Sequence, residues 1–256
     1  MRPRPAVVAM ILVIAALTVL CALPHADPVR VDLAEVLAGP SWTHPLGTDH
    51  LGRDLWALTA SGYWRTLTVV AAACSTSLLV GVPLGLLAGF RGGLLDATIR
   101  TVTDLTMVIP SFVAALIITS IVSLTPFTAG VVLGCFGAGP YVNQVRALTR
   151  TVRSRDYVQV ERLLGTPTAM ILGRHVLPAV RTPLFRYFGA SASGAVLAYA
   201  GLAFIGLGID ATTPDWGTML YAYRSMTDHP ILILAPAAGI LLLALFFHVV
   251  FDREHT

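Results

Sequence analysis

Apolar residues in this chain collect into long uninterrupted runs instead of alternating with polar residues. Six runs stand out, and most reach the roughly 20 residues that an α-helix needs to cross the ~30 Å hydrocarbon core of a bilayer. They cover residues 6–23, 67–90, 105–124, 127–142, 187–207 and 231–251. The pattern predicts an all-α integral membrane protein in which six transmembrane helices form a single domain over residues 1–256.

The basic residues predict how these helices are oriented. All 17 are arginine, since the chain has no lysine. With the N-terminus inside, thirteen arginines fall in inside segments and four in outside segments. Because positive charge favours the cytoplasmic side, both termini are predicted to be cytoplasmic, with outer loops at 24–64 and 208–229 and an inner loop at 143–186. The first run has no convincing signal-peptide cleavage site, so a retained helix is expected.

The composition narrows the possible functions. Only 12% of residues are charged, about half of what a soluble domain carries. The absence of lysine excludes a P-loop, kinase or Schiff-base lysine within this chain, so any ATP hydrolysis belongs to another subunit. The arginines follow the membrane topology and form no soluble basic face, which disfavours a nucleic-acid partner. No zinc-protease or serine-hydrolase pattern is present, and a non-catalytic protein is expected.

Two features inside the apolar runs predict close helix packing and bends. Gly81, Gly85 and Gly89 recur every fourth residue on one helix face, a spacing that lets two helix backbones approach closely in a membrane. The alternative is that glycine is simply frequent in membrane helices. Pro83 and Pro110 are expected to kink their helices unless neighbouring groups satisfy the freed carbonyls.

The inner loop contains a candidate amphipathic helix over residues 156–164. Asp156 or Ser154 is predicted to cap its start, its apolar residues share one face, and Gly165 is predicted to end it. A short helix of this kind either docks into a groove of a partner protein or lies flat on the inner leaflet. The residues alone leave both possibilities open.

This segment is similar to the EAA loop of ABC importer permeases. In that family a Glu-Ala-Ala triplet precedes a glycine, and an Ile/Val-Leu-Pro sequence follows; here Gln159, Val160 and Glu161 occupy the triplet and residues 176–178 read Val-Leu-Pro. The resemblance implies a helix that docks on an ATPase subunit. Gln159 stands where the family has its salt-bridging acid, and Glu161 or nearby arginines are candidates to replace it. The implied coupling residues are Asp156, Tyr157, Gln159, Val160, Glu161, Arg162, Leu164 and Gly165.

Two outer segments resemble signatures of the C-type subunit of peptide and nickel permeases. The first, HPLGTDHLGRD, begins at His44; the second joins LAFIGLG at residues 202–208 to PDWG at 214–217. The candidate residues of the first motif are His44, Pro45, Leu46, Gly47, Thr48, Asp49, Gly52, Arg53 and Asp54. Those of the second are Gly206, Gly208, Pro214, Trp216 and Gly217.

Together these motifs imply a type I ABC importer permease of the bacterial inner membrane. The resemblance further implies a homologous B-type permease as partner, two ABC ATPase subunits or domains, and an extracytoplasmic substrate-binding protein. ATP and magnesium would be bound by the ATPases, so this chain is expected to hold no cofactor. Peptides are the expected solute, with haem, nickel chelates or opines as alternatives. The rival function is an ATP-independent transporter or channel. It is disfavoured because the predicted spans lack the carboxylate pair expected of such a protein.

The first outer motif also has an alternative chemistry. His44, Asp49, His50 and Asp54 carry possible metal-binding groups. The favoured interpretation is a structural loop, in which Pro45 and Gly47 form a turn and Asp49 or Thr48 caps the helix that follows.

Two tryptophans are predicted near the outer membrane boundary. Trp56 and Trp216 fit either an aromatic belt at the interface or a contact with a partner protein.

Overall fold

The computed structural model describes residues 5–23, 25–122, 125–205 and 215–251, which are mostly helical apart from the segment 25–54. Within these ranges the chain forms ten α-helices, with a π-helical turn at Leu172–Val176 between α7 and α8. Their bounds are α1 Pro5–Ala22, α2 Leu55–Arg91, α3 Gly93–Val108, α4 Ser111–Ile121, α5 Pro126–Arg153, α6 Asp156–Leu163, α7 Thr168–Ile171, α8 Leu177–Ile205, α9 Trp216–Tyr223 and α10 Pro230–Phe251.

Three helical stretches are long and apolar enough to cross a membrane: Leu55–Arg91, Thr168–Ile205 and Pro230–Phe251. The bent pair α3 and α4 makes a fourth if it is one span, and α1 is apolar but shorter. Helix α5 is not in this group, since its glycines and arginines lower its apolar content. The all-helical prediction is confirmed for the described residues; six spans and the orientation of the termini stay predictions.

The break between α3 and α4 has an identifiable cause. Ile109 is extended (φ −90°, ψ 115°) and Pro110 follows it in an extended conformation, because a proline disfavours helical geometry in the residue before it. The two helices differ in direction by 75°. The predicted kink at Pro110 is therefore confirmed, whereas α2 continues as one helix through Pro83.

Helices α2 and α5 pack together through glycines on both sides. A Cβ atom built on Gly81, Gly85 or Gly89 would lie 2.5–2.7 Å from an atom of α5. On the facing helix, a Cβ on Gly130 or Gly134 would lie as close to α2. Such contacts have room only for hydrogen, so the prediction of close packing on the α2 face is confirmed. We call this contact the α2–α5 seam.

The order of contacts along the seam makes α2 and α5 parallel. Gly130, near the start of α5, faces Val69, whereas Thr149, near its end, faces Gly89. Helices α3 and α4 lie between them in the chain and therefore have to return it from one end of the seam to the other.

The buried residues form two clusters along this framework. The larger joins α1, α2, α8, α9 and α10 around Trp216, and the smaller joins the later half of α2 and α5 to α6, α7 and the start of α8. The smaller cluster contains Phe90, Tyr141, Val145, Val152, Val158, Ile171, Val176, Val180 and Leu184.

Helices extend well past the predicted spans. The predicted inner loop 143–186 holds the end of α5, all of α6 and α7, and the start of α8, and α2 begins inside the predicted outer loop 24–64. Hydropathy locates apolar stretches, but helical hydrogen bonds continue in water wherever packing supports them. Where the helices enter and leave the bilayer stays a prediction.

The seam predicts a position-specific effect of adding a side chain. We expect Gly85→Val to lower the thermal unfolding temperature of the detergent-purified protein, because its Cβ would lie 2.7 Å from the Cβ of Val145 and 2.8 Å from the carbonyl oxygen of Val142. Overpacking of this kind costs about 1–3 kcal/mol. The control is Gly194→Ala, where a Cβ meets nothing within 4 Å. Equal unfolding temperatures for the two variants would contradict the seam.

Candidate functional site

Helix α6 begins without the predicted side-chain cap. Arg155 is its N-cap residue and makes no side-chain capping bond. Asp156 is already the first helical residue, and the hydroxyl of Ser154 donates to the carbonyl of Thr151 instead (2.9 Å). The prediction that Asp156 or Ser154 caps the helix is wrong, because the turn after α5 places neither of them at the N-cap.

Helix α6 ends where the sequence predicts. Gly165 has φ +77°, a conformation that glycine adopts without strain. Its N–H donates to the carbonyl of Arg162 (3.1 Å), and the N–H of Thr166 donates to that of Glu161 (3.0 Å). This pair of bonds is a Schellman motif, and it confirms Gly165 as the residue that ends the helix.

The two faces of α6 have opposite environments. Val158 is fully buried in the smaller cluster and holds the helix to the rest of the fold. Val160 is 53% exposed, Leu163 88% and Leu164 78%. These exposed apolar side chains make the outer face of α6 a candidate contact surface.

Glu161 is engaged within the chain. Its carboxylate lies 3.3 Å from the Nε2 of His175, which belongs to the π-helical turn and also packs against the ring of Tyr157. Hydrogen bonds from Thr166 and His175 lower the pKa of Glu161. The side-chain amide of Gln159 donates to the carbonyl of Ser154 (3.3 Å). The acid predicted as a replacement for the missing triplet Glu is thus turned toward the π-helical turn.

An ion pair that the sequence did not predict joins α3 to α5 near α6. Asp96 is buried, and Arg146 donates to both of its carboxylate oxygens. Arg150 lies 3.6 Å from the same carboxylate. Fifty residues separate Asp96 from Arg146, so no local spacing could have revealed the pair.

At the other end of α2, Asp49 organises the first outer motif. Its Oδ1 accepts from the backbone N–H groups of Leu51 and Arg53 (2.8 and 2.9 Å), and its Oδ2 accepts from the Arg53 guanidinium (2.7 and 2.8 Å) and the Tyr223 hydroxyl (3.0 Å). The side chain is fully buried. Burial opposes its ionisation, but the bonds from Arg53 prevail and lower the pKa of Asp49. The bond from Tyr223 ties this loop to α9.

Asp54, not Asp49 or Thr48, caps α2. Its Oδ1 accepts from the N–H groups of Trp56 (2.8 Å) and Ala57 (3.1 Å). Asp49 is occupied by Arg53, and the hydroxyl of Thr48 bonds to the backbone of an earlier turn. The predicted cap is therefore wrong by position, although a carboxylate of the same motif takes the role.

His44 connects this cap to a second carboxylate. Its Nδ1 lies 3.0 Å from Oδ2 of Asp54 and its Nε2 lies 2.8 Å from Oε2 of Glu35. The hydrogen bond to Asp54, aided by Glu35 and opposed by partial burial, raises the pKa of His44.

The remaining residues of this motif shape the turn. Gly47 and Gly52 have φ values of +80° and +71°, and a Cβ on Gly52 would collide with the backbone of Asp32. Leu46 packs against the larger cluster, whereas Pro45 is exposed. Within the described ranges, no group of three or more His, Cys, Asp or Glu side chains is arranged to hold a metal ion.

The second outer motif lies only partly within the described residues: Gly206, Gly208 and Pro214 fall outside them. Trp216 is buried, donates from Nε1 to the carbonyl of Thr59 (2.9 Å), and packs on Gly62 and Gly239. Its expected place in an aromatic belt or partner contact is wrong, because close glycine packing puts the indole in the core.

The residues beside Trp216 fix α9 against α8. Gly217 packs so tightly on α8 that a Cβ would lie 2.5 Å from the Cβ of Ala203. Asp215 caps α9 through the N–H groups of Gly217 and Thr218, and its other oxygen accepts from the Tyr199 hydroxyl (2.6 Å). Trp56 is half-buried against the same core.

Comparison with known proteins identifies the family of this chain. Residues 81–253 match the family described as binding-protein-dependent transport system inner membrane component. The chain belongs to this family. It is 33% identical over 249 residues to the di/tripeptide transport system permease protein DppC of Pseudomonas aeruginosa, covering 92% of this chain and 82% of that protein. It is 31% identical over 244 residues to a peptide permease protein of Brucella suis, covering 94% and 80%.

A solved structure shares the fold of this binding-protein-dependent permease. The inward-facing methionine ABC transporter MetNI contains a chain that matches 77% of this one with a TM-score of 0.59, at 16% sequence identity. The match covers 94% of the MetNI chain. The family match, the relatives and the fold make this protein an ABC importer inner-membrane permease of the peptide permease family.

The buried ion pair between Asp49 and Arg53 predicts a large loss of stability from a small substitution. We expect Asp49→Asn to lower the free energy of unfolding by about 3 kcal/mol, because it leaves the Arg53 guanidinium without its counter-charge. Thermal unfolding of the purified permease measures the effect, with Asp228→Asn, at an exposed residue, as control. An unfolding temperature equal to that of the control would show that the pair does not hold the loop.

The histidine contacts predict a pH-dependent stability. His44 has a raised pKa in the folded protein, so its contribution is complete below its unfolded value of about 6.5 and is lost as the pH rises through the folded value. We expect His44→Gln to lower the unfolding temperature most near pH 6 and progressively less toward pH 9. His25→Gln, at an exposed histidine of the same segment, is the control. A His44→Gln effect that is constant over this range would argue against a charged histidine.

Proposed function

We propose that this chain is the C-type permease of an ATP-driven peptide importer and that α6 transmits the motion of the ATPase. The observation that carries the proposal is the helix itself. It is anchored on one face by buried Val158, ended by the Schellman motif at Gly165, and left with Leu163 and Leu164 exposed on the other face. An exposed apolar face on an anchored helix is the arrangement expected of a docking surface.

The proposed assembly contains a homologous B-type permease and two ABC ATPase subunits or domains. ATP and magnesium bind to the ATPases, and this chain supplies no catalytic group and no cofactor site. The solute passes between the two permeases, and both termini lie in the cytoplasm. The parallel course of α2 and α5 and the intervening return of the chain are compatible with the proposed topology, because both helices then run from outside to inside.

An extracytoplasmic binding protein delivers the solute to the outer loops. The segment that precedes α2 exposes Val31, Leu33 and Trp42, while its later half is held by the Asp49 and His44 contacts. Exposed apolar side chains on a fixed loop suit a transient protein contact. The names of the curated relatives support a di- or tripeptide as solute, with haem, nickel chelates and opines as alternatives.

The docking role of α6 can be tested with exposed residues alone. We expect Leu163→Glu combined with Leu164→Glu to reduce recruitment of the cognate ATPase subunits, and solute uptake, at least ten-fold. The unfolding temperature should stay unchanged, because both side chains lie outside the core. Leu94→Glu, a single change of the same kind at a residue that is 89% exposed on α3, is the control. Normal recruitment and uptake by the double variant would refute the coupling role of α6.

A further inference from the structure

A basic groove lies between the end of α5 and helix α6. It has a volume of about 600 Å³ and is open to solvent. Among the described residues, its lining contains three arginines and no carboxylate. The lining residues are Arg150, Arg153, Ser154, Gln159, Arg162 and Leu163.

None of the acids of this region lines the groove among the described residues. Asp96 is bound by Arg146 through both oxygens and is only 3.6 Å from Arg150. Glu161 is turned to His175. The ion pairs within the described part of the chain include neither Arg153 nor Arg162.

The side chain of Arg162 is also held in place. The Arg162 guanidinium stacks over the ring of Phe90, 5.2 Å from its centroid, and its backbone carbonyl takes part in the Schellman motif. Arg150 and Arg153 lie in the last turn of α5. A guanidinium group restrained by stacking binds a carboxylate with a smaller loss of side-chain entropy than a free one.

We propose that this groove binds an aspartate or glutamate side chain of the ATPase subunit that docks on α6. In the EAA loop that this segment resembles, the permease supplies the acid of the contact. Here the amide of Gln159 occupies that position among arginines, so the permease supplies the positive charge and the ATPase supplies the acid. Arginine pairs carboxylates through two parallel hydrogen bonds, which gives the contact orientation as well as strength. The inference rests on the proposed function, since it needs an ATPase on α6.

A protein carboxylate fits this groove better than a lipid headgroup. The fourth predicted span ends at Val142, and Arg153 follows it by eleven residues of continuous helix. At 1.5 Å per residue that is about 16 Å along the axis, whereas the headgroup region of one leaflet is only about 5–8 Å deep. With the fourth span as predicted, the groove extends past the headgroups, toward the place where α6 exposes Leu163.

The test reverses the charge of two groove arginines and leaves the ion pair between Asp96 and Arg146 unchanged. We expect Arg153→Glu with Arg162→Glu to weaken binding of the purified cognate ATPase subunits to the detergent-solubilised permease on the order of 10–100-fold. We also expect selection for restored uptake to recover Asp or Glu changes to Lys or Arg in the ATPase. The control is Arg181→Glu, which reverses the charge of one exposed residue outside the groove.

Three results would overturn the proposal. Unchanged ATPase binding by the groove variant would do so, as would an effect that appears only in nanodiscs of anionic lipid and not in detergent, since the ligand would then be a headgroup. A fall in the unfolding temperature as large as that of Asp49→Asn would mean that the groove is structural. The neutral pair Arg153→Gln with Arg162→Gln, which introduces no negative charge, should instead unfold like the parent and bind the ATPase more weakly.

These outcomes remain distinct from failure of the proposed function. If the α6 variant Leu163→Glu with Leu164→Glu loses ATPase binding and the groove variant keeps it, α6 still docks the ATPase and only the carboxylate contact is wrong. If both variants bind normally, the coupling role itself is refuted.

Discussion

The parallel contact of α2 with α5 is the constraint on which the rest of this permease depends. Glycines on both helices bring the backbones so close that a single added Cβ would collide. In a membrane, where lipid competes for apolar surface, this closeness supplies the van der Waals contact that holds helices together. Two parallel helices joined in sequence also require a return path, and the chain provides it with α3 and α4, which change direction by 75° at Pro110.

The same framework connects the two candidate functional regions. Helix α2 has 37 residues, about 55 Å at 1.5 Å per residue. Its start is capped by Asp54 of the first outer motif, and near its end Phe90 packs in the cluster that holds Val158 of α6. The motif at residues 44–54 and α6 are thus attached to opposite ends of one continuous helix, which is a physical route from α6 to the far end of α2.

Charge is distributed differently at these two ends. At the outer end the carboxylates of Asp49 and Asp54 are consumed by internal bonds to Arg53, Tyr223, His44 and helix N–H groups, so the motif serves to build the loop. At the other end the acids are also used internally, but arginines outnumber them, and Arg153 and Arg162 are left facing a groove. Surplus charge of one sign at a docking surface favours a partner of the opposite sign.

Sequence alone determined the helical class, the family resemblance, the close packing face on α2, the break at Pro110 and the end of α6 at Gly165. The resemblance rests on motif similarity. The others follow from local chemistry: apolar run length, the absence of a Cβ, the effect of a proline on the residue before it, or a positive φ. Only the tertiary structure decided which carboxylate caps α2, that Trp216 is core, that Glu161 faces His175 and that Asp96 pairs with Arg146. Those outcomes depend on groups far apart in the chain, and a buried polar or charged side chain takes whichever partner the fold brings within hydrogen-bonding distance.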